Sequence, residues 1–384
     1  MSFMKKRVVH FIHGLNTGGA ETLVKDYALG LDKSKYDVTI LCYQHYDSPY
    51  EKILEKAGVK VIYACDDMKL WGKKGVIPKV INHYQLYFEI KRKLYELKPD
   101  IVHTHLTLNT YVKFAHLPKS VKMFHTVHSE PKALWNNNSR QRTKDYMAAK
   151  WLIKHRNQRM IVLHDAMKRE VDQLFGVNNS IVLNNGIDFR RFDNAKIRSE
   201  MRSELGIPQT GFVVGHVGRF SKAKNHGFLI KVFSEIYKHN KDAFLLMVGA
   251  GEEKERIKQL LENSPLKNSY MILSNRSDVP DIMQAMDVFV FPSKFEGLGI
   301  GLIEAQKSGL PCFASDQVPS FAKVTNLVKF CSLNGSAEDW AREILKIRDS
   351  NYRKKMIDQG GEVPNTWDMK NVIRKLEQIY EGEL

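Results

Sequence analysis

Two glutamates, Glu296 and Glu304, stand eight positions apart in the stretch FEGLGIGLIEAQKSGLP at residues 295–311, with three glycines between them. Two carboxylates beside a turn can serve as the acid and base of a sugar hydrolase. They can also ligate a metal ion, or have another role. The spacing alone leaves these possibilities open, so the elements that position the glutamates have to be placed first.

The apolar runs of the chain follow a regular pattern. Short runs rich in β-branched residues alternate with longer helical patterns, which is typical of parallel sheets with crossover helices. The first half contains RVVHFIH, DVTILC, VKVIYA, DIVHTH, VKMFHTVH, RMIVLH and SIVLN, and the second contains GFVVGHVG, AFLLMVG, YMILS, DVFVFPS, PCFAS and LVKFC. These runs predict an α/β fold with one doubly wound, buried parallel sheet in each half.

The length of 384 residues predicts two domains, because it exceeds what one ordinary core accommodates. The highly charged segment 186–211 is the expected connection between them. We therefore predict domains at 1–190 and 191–364. The tail after Pro364 is expected to form a helix, with an apolar face at Val372, Ile373, Leu376 and Ile379.

Two loops that follow strands have features of anion-binding sites. GLNTGGAETL at 14–23 combines glycines with the start of a helix, whose N-terminus favours negative charge. It lacks the dinucleotide and Walker A patterns, so a simple tight turn is an equal alternative. The loop in GHVGRFSKAKNHGFLIKVF carries Arg219, Lys222 and Lys224, which could neutralise a diphosphate. A solvated basic loop is the alternative there.

The glutamate stretch follows a third strand. The strand is predicted to end near Pro292, and a helix is expected from Leu302 to Ser308, stopped by the Gly309 that follows. Glu304 would then sit in the first turn of that helix and Glu296 in the loop before it. Glu304 could also merely complement the helix dipole.

Histidines and carboxylates give little support for a metal site. His13, His105, His128 and His164 fall at the carboxyl ends of predicted strands, where ligands bind in such sheets, and together they predict a polar cleft. A single histidine there is more often a structural hydrogen-bonding group. The chain contains no Asp-x-Asp. We therefore expect no metal, so any diphosphate would be held by Arg, Lys and helix N-termini.

The net charge of +16 is unevenly distributed. Residues 1–190 carry 31 Lys and Arg against 18 Asp and Glu, and the rest of the chain carries 28 against 25. Segment 140–169, with nine basic and two acidic residues, is a candidate basic amphipathic helix. The four scattered cysteines predict buried thiols in a reducing cytoplasm.

These pieces together resemble the GT-B glycosyltransferases of the large retaining family 4, particularly those of bacterial capsule and exopolysaccharide assembly. The resemblance covers nearly the whole chain. It rests on the order of GGAE at 18–21, DIVHTH at 100–105, TVH at 126–128, NNGID at 184–188, GRFSKAKN at 218–225 and DVFVFPSKFEGLGIGLIEAQKSGLP at 287–311. It implies two Rossmann-like domains facing a cleft, with an N-terminal acceptor-binding domain completed by residues 365–384 and a C-terminal domain that binds the nucleotide sugar.

The resemblance also implies roles for single residues of the C-terminal domain. Arg219 and Lys224 would hold the donor diphosphate. Glu296 and the backbone after it would contact the donor sugar, and Glu304 would bind the ribose hydroxyls. The remaining donor contacts implied there are Gly297, Leu298 and Gly299, with Arg276 and Val279 of SNRSDVP at the base. The acid and base of a retaining hydrolase would need carboxyls about 5–5.5 Å apart, and nothing in a loop-to-helix arrangement imposes that separation. The better interpretation is that Glu296 and Glu304 are two hydrogen-bond acceptors that hold different parts of one ligand.

In the N-terminal domain, Gly18 and Gly19 would face the donor phosphate and acceptor, and His128 would lie near the transferred sugar. The expected catalytic set is His128, Glu296, Arg219 and Lys224. The expected acceptor and membrane side consists of His105, Arg140, Lys150, Lys154 and Arg156.

The implied reaction transfers a sugar from a nucleoside diphosphate sugar, UDP-linked in our expectation, to an acceptor hydroxyl with retention and without metal or other cofactor. The acceptor would be a saccharide, growing or lipid-linked, at the inner face of the membrane. The basic N-terminal half is suited to an anionic membrane surface, with attachment expected through 140–159. A nucleotide-sugar epimerase of the same fold is the nearest alternative. A basic nucleic-acid-binding protein is the other, although no nucleic-acid module is recognisable and we expect no nucleic-acid partner.

Overall fold

The structure is a computed structural model, and it describes residues 4–16, 18–69, 72, 76–135 and 139–384. Thr17, within the first glycine loop, lies outside the described residues. The chain divides into two compact units, one formed by 1–186 with 369–384 and the other by 187–368.

The N-terminal unit is built on a parallel sheet. Its strands are β1 (Lys6–Ile12), β2 (Tyr36–Cys42), β3 (Lys60–Tyr63), β4 (Ile101–His105), β5 (Lys122–Thr126), β6 (Arg159–Val162) and β7 (Ile181–Val182), in the order β3-β2-β1-β4-β5-β6-β7. Its helices are α1 (Gly19–Gly30), α2 (Pro49–Lys56), α3 (Val76–Leu97), α4 (Asn109–Ala115), α5 (Pro131–Trp135), α6 (Arg140–Arg156) and α7 (Asp165–Phe175).

The C-terminal unit repeats this plan. Its helices before and between the strands are α8 (Phe189–Asp193), α9 (Arg198–Leu205), α10 (His226–His239), α11 (Lys254–Glu262), α12 (Val279–Gln284) and α13 (Ile300–Lys307), followed by α14 (Ala337–Leu345) and α15 (Ser350–Asp358). Its strands are β8 (Phe212–Val217), β9 (Ala243–Val248), β10 (Tyr270–Leu273), β11 (Val288–Phe291), β12 (Cys312–Ser315) and β13 (Val328–Cys331), in the order β10-β9-β8-β11-β12-β13.

The pairing of the strands confirms the predicted fold class. Each of the thirteen apolar runs forms a strand, and neighbouring strands pair in parallel. The last helix, α16 (Met369–Glu381), belongs to the N-terminal unit, where Val372 and Leu376 pack in one core with Val8 and Tyr27. Its apolar face is therefore covered, as the periodicity of the tail predicts.

The structure corrects two local predictions and adds detail to a third. Segment 140–169 is not one helix, because α6 ends at Asn157, which adopts the left-handed conformation with φ 50°, and β6 and α7 follow. The units divide between Gly186 and Ile187, at the start of the expected connection 186–211, and the rest of that segment contains α8 and α9 of the C-terminal unit. The thiols of Cys65 and Cys331 are partly exposed, and only those of Cys42 and Cys312 are buried.

No helix among the described residues is long and apolar enough to cross a membrane.

Candidate functional site

The strand order of the C-terminal unit brings two of the predicted loops together. Strand β8 pairs with β9 on one side and with β11 on the other, so the order of the sheet reverses between β8 and β11. Ligands of open α/β sheets bind beside the carboxyl ends of strands at such a switch point. The basic loop after β8 and the glutamate loop after β11 leave the sheet here.

Lys224 and Glu296 meet at this point. The Lys224 ammonium lies 2.5 Å from a carboxylate oxygen of Glu296, and the two side chains are only 19% and 9% exposed. A charge-assisted hydrogen bond in such a half-enclosed place is stronger than an exposed ion pair. The backbone joins the same loops, because the amide of Lys294 donates to the carbonyl of Ala223 at 2.7 Å.

The ammonium is further oriented by an aromatic ring. The Lys224 nitrogen lies 4.7 Å from the centre of the Phe291 ring, a cation–π distance. Phe291 is the last residue of β11 and is fully buried, so its position is fixed by the core. Lys224 is therefore a positioned cation and not a freely moving surface lysine.

Helix α13 starts earlier than the sequence predicted, and glycines are the reason. Gly299 has φ 79° and turns the chain into a helix that begins at Ile300. A side chain at Gly301 would stand 3.1 Å from the carbonyl of Val217, so this glycine lets α13 approach the end of β8. Glu304 consequently lies in the second turn, not the first, on the partly exposed face of α13.

The other predicted donor contacts lie on loops at the same edge of this sheet. Arg219 is exposed and pairs with Glu252 at 3.4 Å, an exposed ion pair that a ligand could replace at little cost. Arg276 follows β10 and donates to Asp278 at 2.6 Å. Val279 begins α12.

The segment between the two glutamates faces inward in part. Gly297 is partly exposed, whereas the side chain of Leu298 is buried, at 4% exposure. A ligand contact at Leu298 would therefore go through its backbone.

This arrangement is suited to holding an anion. Lys224 supplies positive charge close to the start of α13, and Arg219 stands on the same loop after β8. The N-terminus of α13 adds to this charge. Glu296 is already bound by an ammonium, which makes it a fixed hydrogen-bond acceptor. These features favour the interpretation that Glu296 and Glu304 bind one ligand over the interpretation that they are the acid and base of a hydrolase.

The N-terminal unit contains a row of histidines whose ring nitrogens lie within hydrogen-bond distance of one another. His10 Nδ1 lies 3.1 Å from His105 Nε2, and His105 Nδ1 lies 3.0 Å from His128 Nε2. His128 is partly exposed, while His10 and His105 are fully buried. Burial lowers the pKa of His128 to about 4, so its imidazole is neutral at physiological pH.

Comparison with protein families identifies the class of this chain. Residues 17–191 match the model "Glycosyltransferase Family 4", and residues 197–363 match "Glycosyl transferases group 1". The two matches together take in most of the chain. The chain is a glycosyltransferase.

Two relatives align with nearly the full length of this glycosyltransferase. EpsF of Bacillus subtilis is 27% identical, covering 99% of this chain and 97% of EpsF. The Escherichia coli UDP-Gal:alpha-D-GlcNAc-diphosphoundecaprenol alpha-1,3-galactosyltransferase is 26% identical, over 91% of this chain and 90% of its own.

Solved structures share the GT-B fold of this glycosyltransferase. Anabaena HepE, in complex with UDP-glucose, superposes with a TM-score of 0.79 at 18% identity, covering 98% of this chain and 99% of HepE. WaaG, a glycosyltransferase involved in lipopolysaccharide biosynthesis, gives a TM-score of 0.75 at 16% identity, with 98% and 100% covered. At these identities the likeness concerns the fold.

The predicted residues of the N-terminal unit have different surroundings. Gly18 precedes α1, and its carbonyl accepts a hydrogen bond from the Thr22 hydroxyl at 2.8 Å. A side chain at Gly19 would meet no described atom within 4 Å, so packing within the unit does not require a glycine there. His105 is buried and cannot itself touch an acceptor, but it contacts His128.

The basic residues predicted on α6 divide into two groups. Arg140, Lys150 and Lys154 are exposed. The guanidinium of Arg156 donates to the carbonyls of Leu117 and Pro118 at 2.8 and 2.7 Å. Arg156 therefore holds a loop in place, which is a structural role.

Two further histidines were interpreted incompletely from the sequence. His164 is a helix cap, since its Nδ1 accepts from the amide of Met167 at 3.1 Å. His10 was not singled out, although it is the partner of His103 across β1 and β4 and aligns the row. Its position two residues before the end of β1 was the available signal.

One described group could be considered for a metal. His10, His103 and His105 have ring nitrogens within 4.8 Å of one another. However, His10 and His105 direct nitrogens at each other, and His103 uses both of its nitrogens, with Tyr380 and Thr126 at 2.7 Å. The contacts of these histidines are those of a hydrogen-bonded network and not of lone pairs converging on an ion.

Proposed function

We propose that this glycosyltransferase moves a sugar from a UDP-linked donor to an acceptor hydroxyl with retention of the anomeric configuration. The observation that carries the proposal is the pair of Lys224 and Glu296 at the switch point of the C-terminal sheet. It presents a fixed cation for a diphosphate and a fixed carboxylate for a sugar hydroxyl. Glu304, on the partly exposed face of α13, is proposed to bind the ribose.

The protein's main task in this reaction is to stabilise the leaving diphosphate. The bond between the anomeric carbon and the diphosphate oxygen breaks while the acceptor oxygen forms its bond on the same face. The departing diphosphate takes the acceptor proton, so no protein base is needed. Lys224 and Arg219 neutralise the charge that develops on the diphosphate, the contribution that preorganised electrostatics makes in many enzymes.

We propose that the base is uracil, read by the loop that carries Arg276 and Val279, and that Gly297, Leu298 and Gly299 offer backbone groups to the sugar. The Escherichia coli relative is named for UDP-galactose and HepE was solved with UDP-glucose, which supports this choice. In the N-terminal unit, His128 is proposed to donate to or accept from the transferred sugar, and Gly18 and Gly19 to leave room for the donor phosphate and acceptor.

The acceptor is proposed to be a lipid-linked or growing saccharide of surface polysaccharide synthesis, at the cytoplasmic face of the membrane. The lipid-linked acceptor named for the Escherichia coli relative supports it, as does the similarity to the Staphylococcus aureus capsular polysaccharide glycosyltransferase CapM, 27% identical over 62% of this chain. The excess of basic residues in the N-terminal half supports association with an anionic surface.

We propose that no metal or other cofactor takes part. Two cationic side chains and a helix N-terminus at the donor site can carry out the charge neutralisation that a divalent ion performs elsewhere.

Product analysis with a labelled donor tests the proposed reaction. UDP-sugars are first ranked by the rise in melting temperature that they cause, since binding to the native state stabilises it. The best donor, labelled in its sugar, is then incubated with saccharide and lipid-linked acceptors in the presence of a chelator. We expect the label in a glycoside of unchanged anomeric configuration. Label recovered in an epimeric nucleotide sugar would indicate an epimerase, and an inverted product or a chelator-sensitive rate would contradict the mechanism.

A further inference from the structure

Helix α3 of the N-terminal unit leaves a row of large apolar side chains uncovered. Six of the 15 large hydrophobic residues exposed in the described chain lie on this one helix, between 45% and 78% exposed. They are Val76, Ile77, Val80, Tyr84, Phe88 and Tyr95. We call these six residues the α3 stripe.

The α3 stripe is a second apolar face of its helix. At 3.6 residues per turn, the five members from Ile77 to Tyr95 fall within about 80° of arc and extend about 27 Å along the axis. Ile90 and Leu94 point elsewhere, into the core of the unit, and are fully buried. Packing of the unit therefore explains the inner face only, and contiguous exposed apolar surface of this kind marks an interaction site.

The surroundings of the stripe are basic. Lys79 of the same helix is exposed, and so are Lys144, Lys150 and Lys154 of α6. None of these four lysines forms an ion pair within the described part of the chain. The acidic residues on α3, Glu89 and Glu96, are both bound by Arg92.

Helix α4 lies between the stripe and α6, the helix that carries three of these lysines. The rings of Phe88 and Phe114 lie 5.3 Å apart, and the ammonium of Lys113 lies 5.4 Å from the ring of Trp151 on α6. The charge of Lys144 contributes to the lowered pKa of His83 on α3, after the larger effect of burial. The apolar stripe and the lysines thus belong to one side of the N-terminal unit.

We propose that the α3 stripe is a membrane-docking surface that inserts into the headgroup region of an anionic lipid bilayer. An in-plane helix with aromatic and aliphatic residues on one side and lysines beside it has the chemistry of interfacial helices. Tyrosines suit the boundary between headgroups and acyl chains, since one end of the ring is apolar and the other polar. Each nearby lysine adds attraction to anionic lipid.

This inference deepens the proposed function by naming the surface that meets the membrane. Residues 140–159 are the attachment segment expected from the sequence. On α6, Met147 is exposed and Trp151 is partly exposed, but Leu152 and Ile153 are buried, so α6 offers fewer apolar side chains than α3 and contributes mainly charge. The inserting element is instead α3.

Vesicle sedimentation with the full chain tests the docking surface. Phosphatidylglycerol and phosphatidylcholine in equal parts form the anionic vesicles, and phosphatidylcholine alone forms the neutral ones. The stripe variant is Tyr84→Ser with Phe88→Ser. The matched control is Ile197→Ser with Ile357→Ser, which removes two exposed apolar side chains from the C-terminal unit.

We expect wild type and control to bind anionic vesicles alike, and the stripe variant to bind about tenfold or more weakly, because two buried side chains are lost from the interface. Equal binding by the stripe variant overturns the proposal. A wild type that fails to bind vesicles but forms a dimer in light scattering, with a monomeric stripe variant, overturns it in favour of self-association.

UDP-induced stabilisation separates this inference from the proposed function. The rise in melting temperature with UDP should be the same in wild type, stripe variant and control, because the donor residues are unchanged. Absence of any rise in wild type would count against the donor assignment and would leave the vesicle result standing.

Discussion

Replacement of Lys224 by alanine is expected to lower turnover about 10²-fold or more, the loss typical of removing one preorganised donor from a developing anion. The ammonium is held by Glu296 at 2.5 Å and by the ring of Phe291, so no reorganisation is needed when the diphosphate departs. Arg219→Ala should have a comparable effect, since it removes the other cation. Steady-state rates with the best donor measure both.

The folded state has to be controlled in this experiment. Lys224→Ala leaves Glu296 buried without its partner, which costs about 3–5 kcal/mol in comparable pairs. The double variant Lys224→Met with Glu296→Gln removes both charges and should recover stability without recovering turnover. Lys329→Ala breaks a more exposed ion pair, in which Lys329 of β13 lies 2.6 Å from Glu343 of α14, and should leave turnover unchanged. Near-normal rates in folded Lys224→Ala and Arg219→Ala would contradict the donor site.

Acidification is expected to destabilise the N-terminal unit steeply. Burial lowers the pKa of His10 and His125 to about 3 and of His128 to about 4, and lowers the pKa of His103 and His105 well below the usual value. Above the unfolded pKa of about 6.5 both states are neutral, and the full stability is present. Below it the unfolded chain binds protons that the folded unit refuses, so stability falls until the folded pKa is reached.

The size of this effect is considerable. Each such histidine removes about 1.4 kcal/mol per pH unit within its window. Asp145 acts in the opposite direction between about 6 and 4, because burial raises its pKa to about 6. Several histidines against one aspartate leave a net loss, and we expect the apparent melting temperature to drop by about 10 °C or more between pH 7 and pH 5.

A variant of one histidine checks the cause. His10→Phe removes one titrating group and a buried ring nitrogen, Nε2, that has no hydrogen-bond partner among the described residues. The loss of stability on acidification should be smaller by about 1.4 kcal/mol per pH unit in this variant. A melting temperature that is flat from pH 7 to pH 5, or an unchanged slope in His10→Phe, would contradict this explanation.

The strands and the loops after them were predictable because their signals are local. A buried parallel strand is apolar on both faces, so each run could be recognised by itself. The start of α13 was predicted two residues too late. Gly299, which lies in the predicted loop, has a positive φ that turns the chain into the helix, so α13 begins at Ile300. The meeting of Lys224 with Glu296, which are 72 residues apart in sequence, could not be predicted, since it depends on β8 lying beside β11.

Features that depend on strand register or on which helix face is buried could not be predicted from the sequence either, because both depend on residues far apart in the chain. The row of histidines forms because His10 on β1 and His103 on β4 are register partners. No local sequence pattern predicts which residues of two strands pair. The α3 stripe has the composition of a core-facing helix, and only the packing decides that Ile90 and Leu94 are covered while Tyr84 and Phe88 are not. Likewise α6 has a basic sequence, and only the packing decides that Leu152 and Ile153 are buried while Met147 is exposed.

A crystal structure of the chain with UDP tests the donor site most directly. We predict that diphosphate oxygens lie within hydrogen-bond distance of the Lys224 ammonium and the Arg219 guanidinium, and that the ribose hydroxyls contact Glu304. The uracil should lie against the loop that carries Arg276. A UDP bound away from the carboxyl ends of β8 and β11, or ordered there without contact to Lys224 and Glu304, would contradict the assignment.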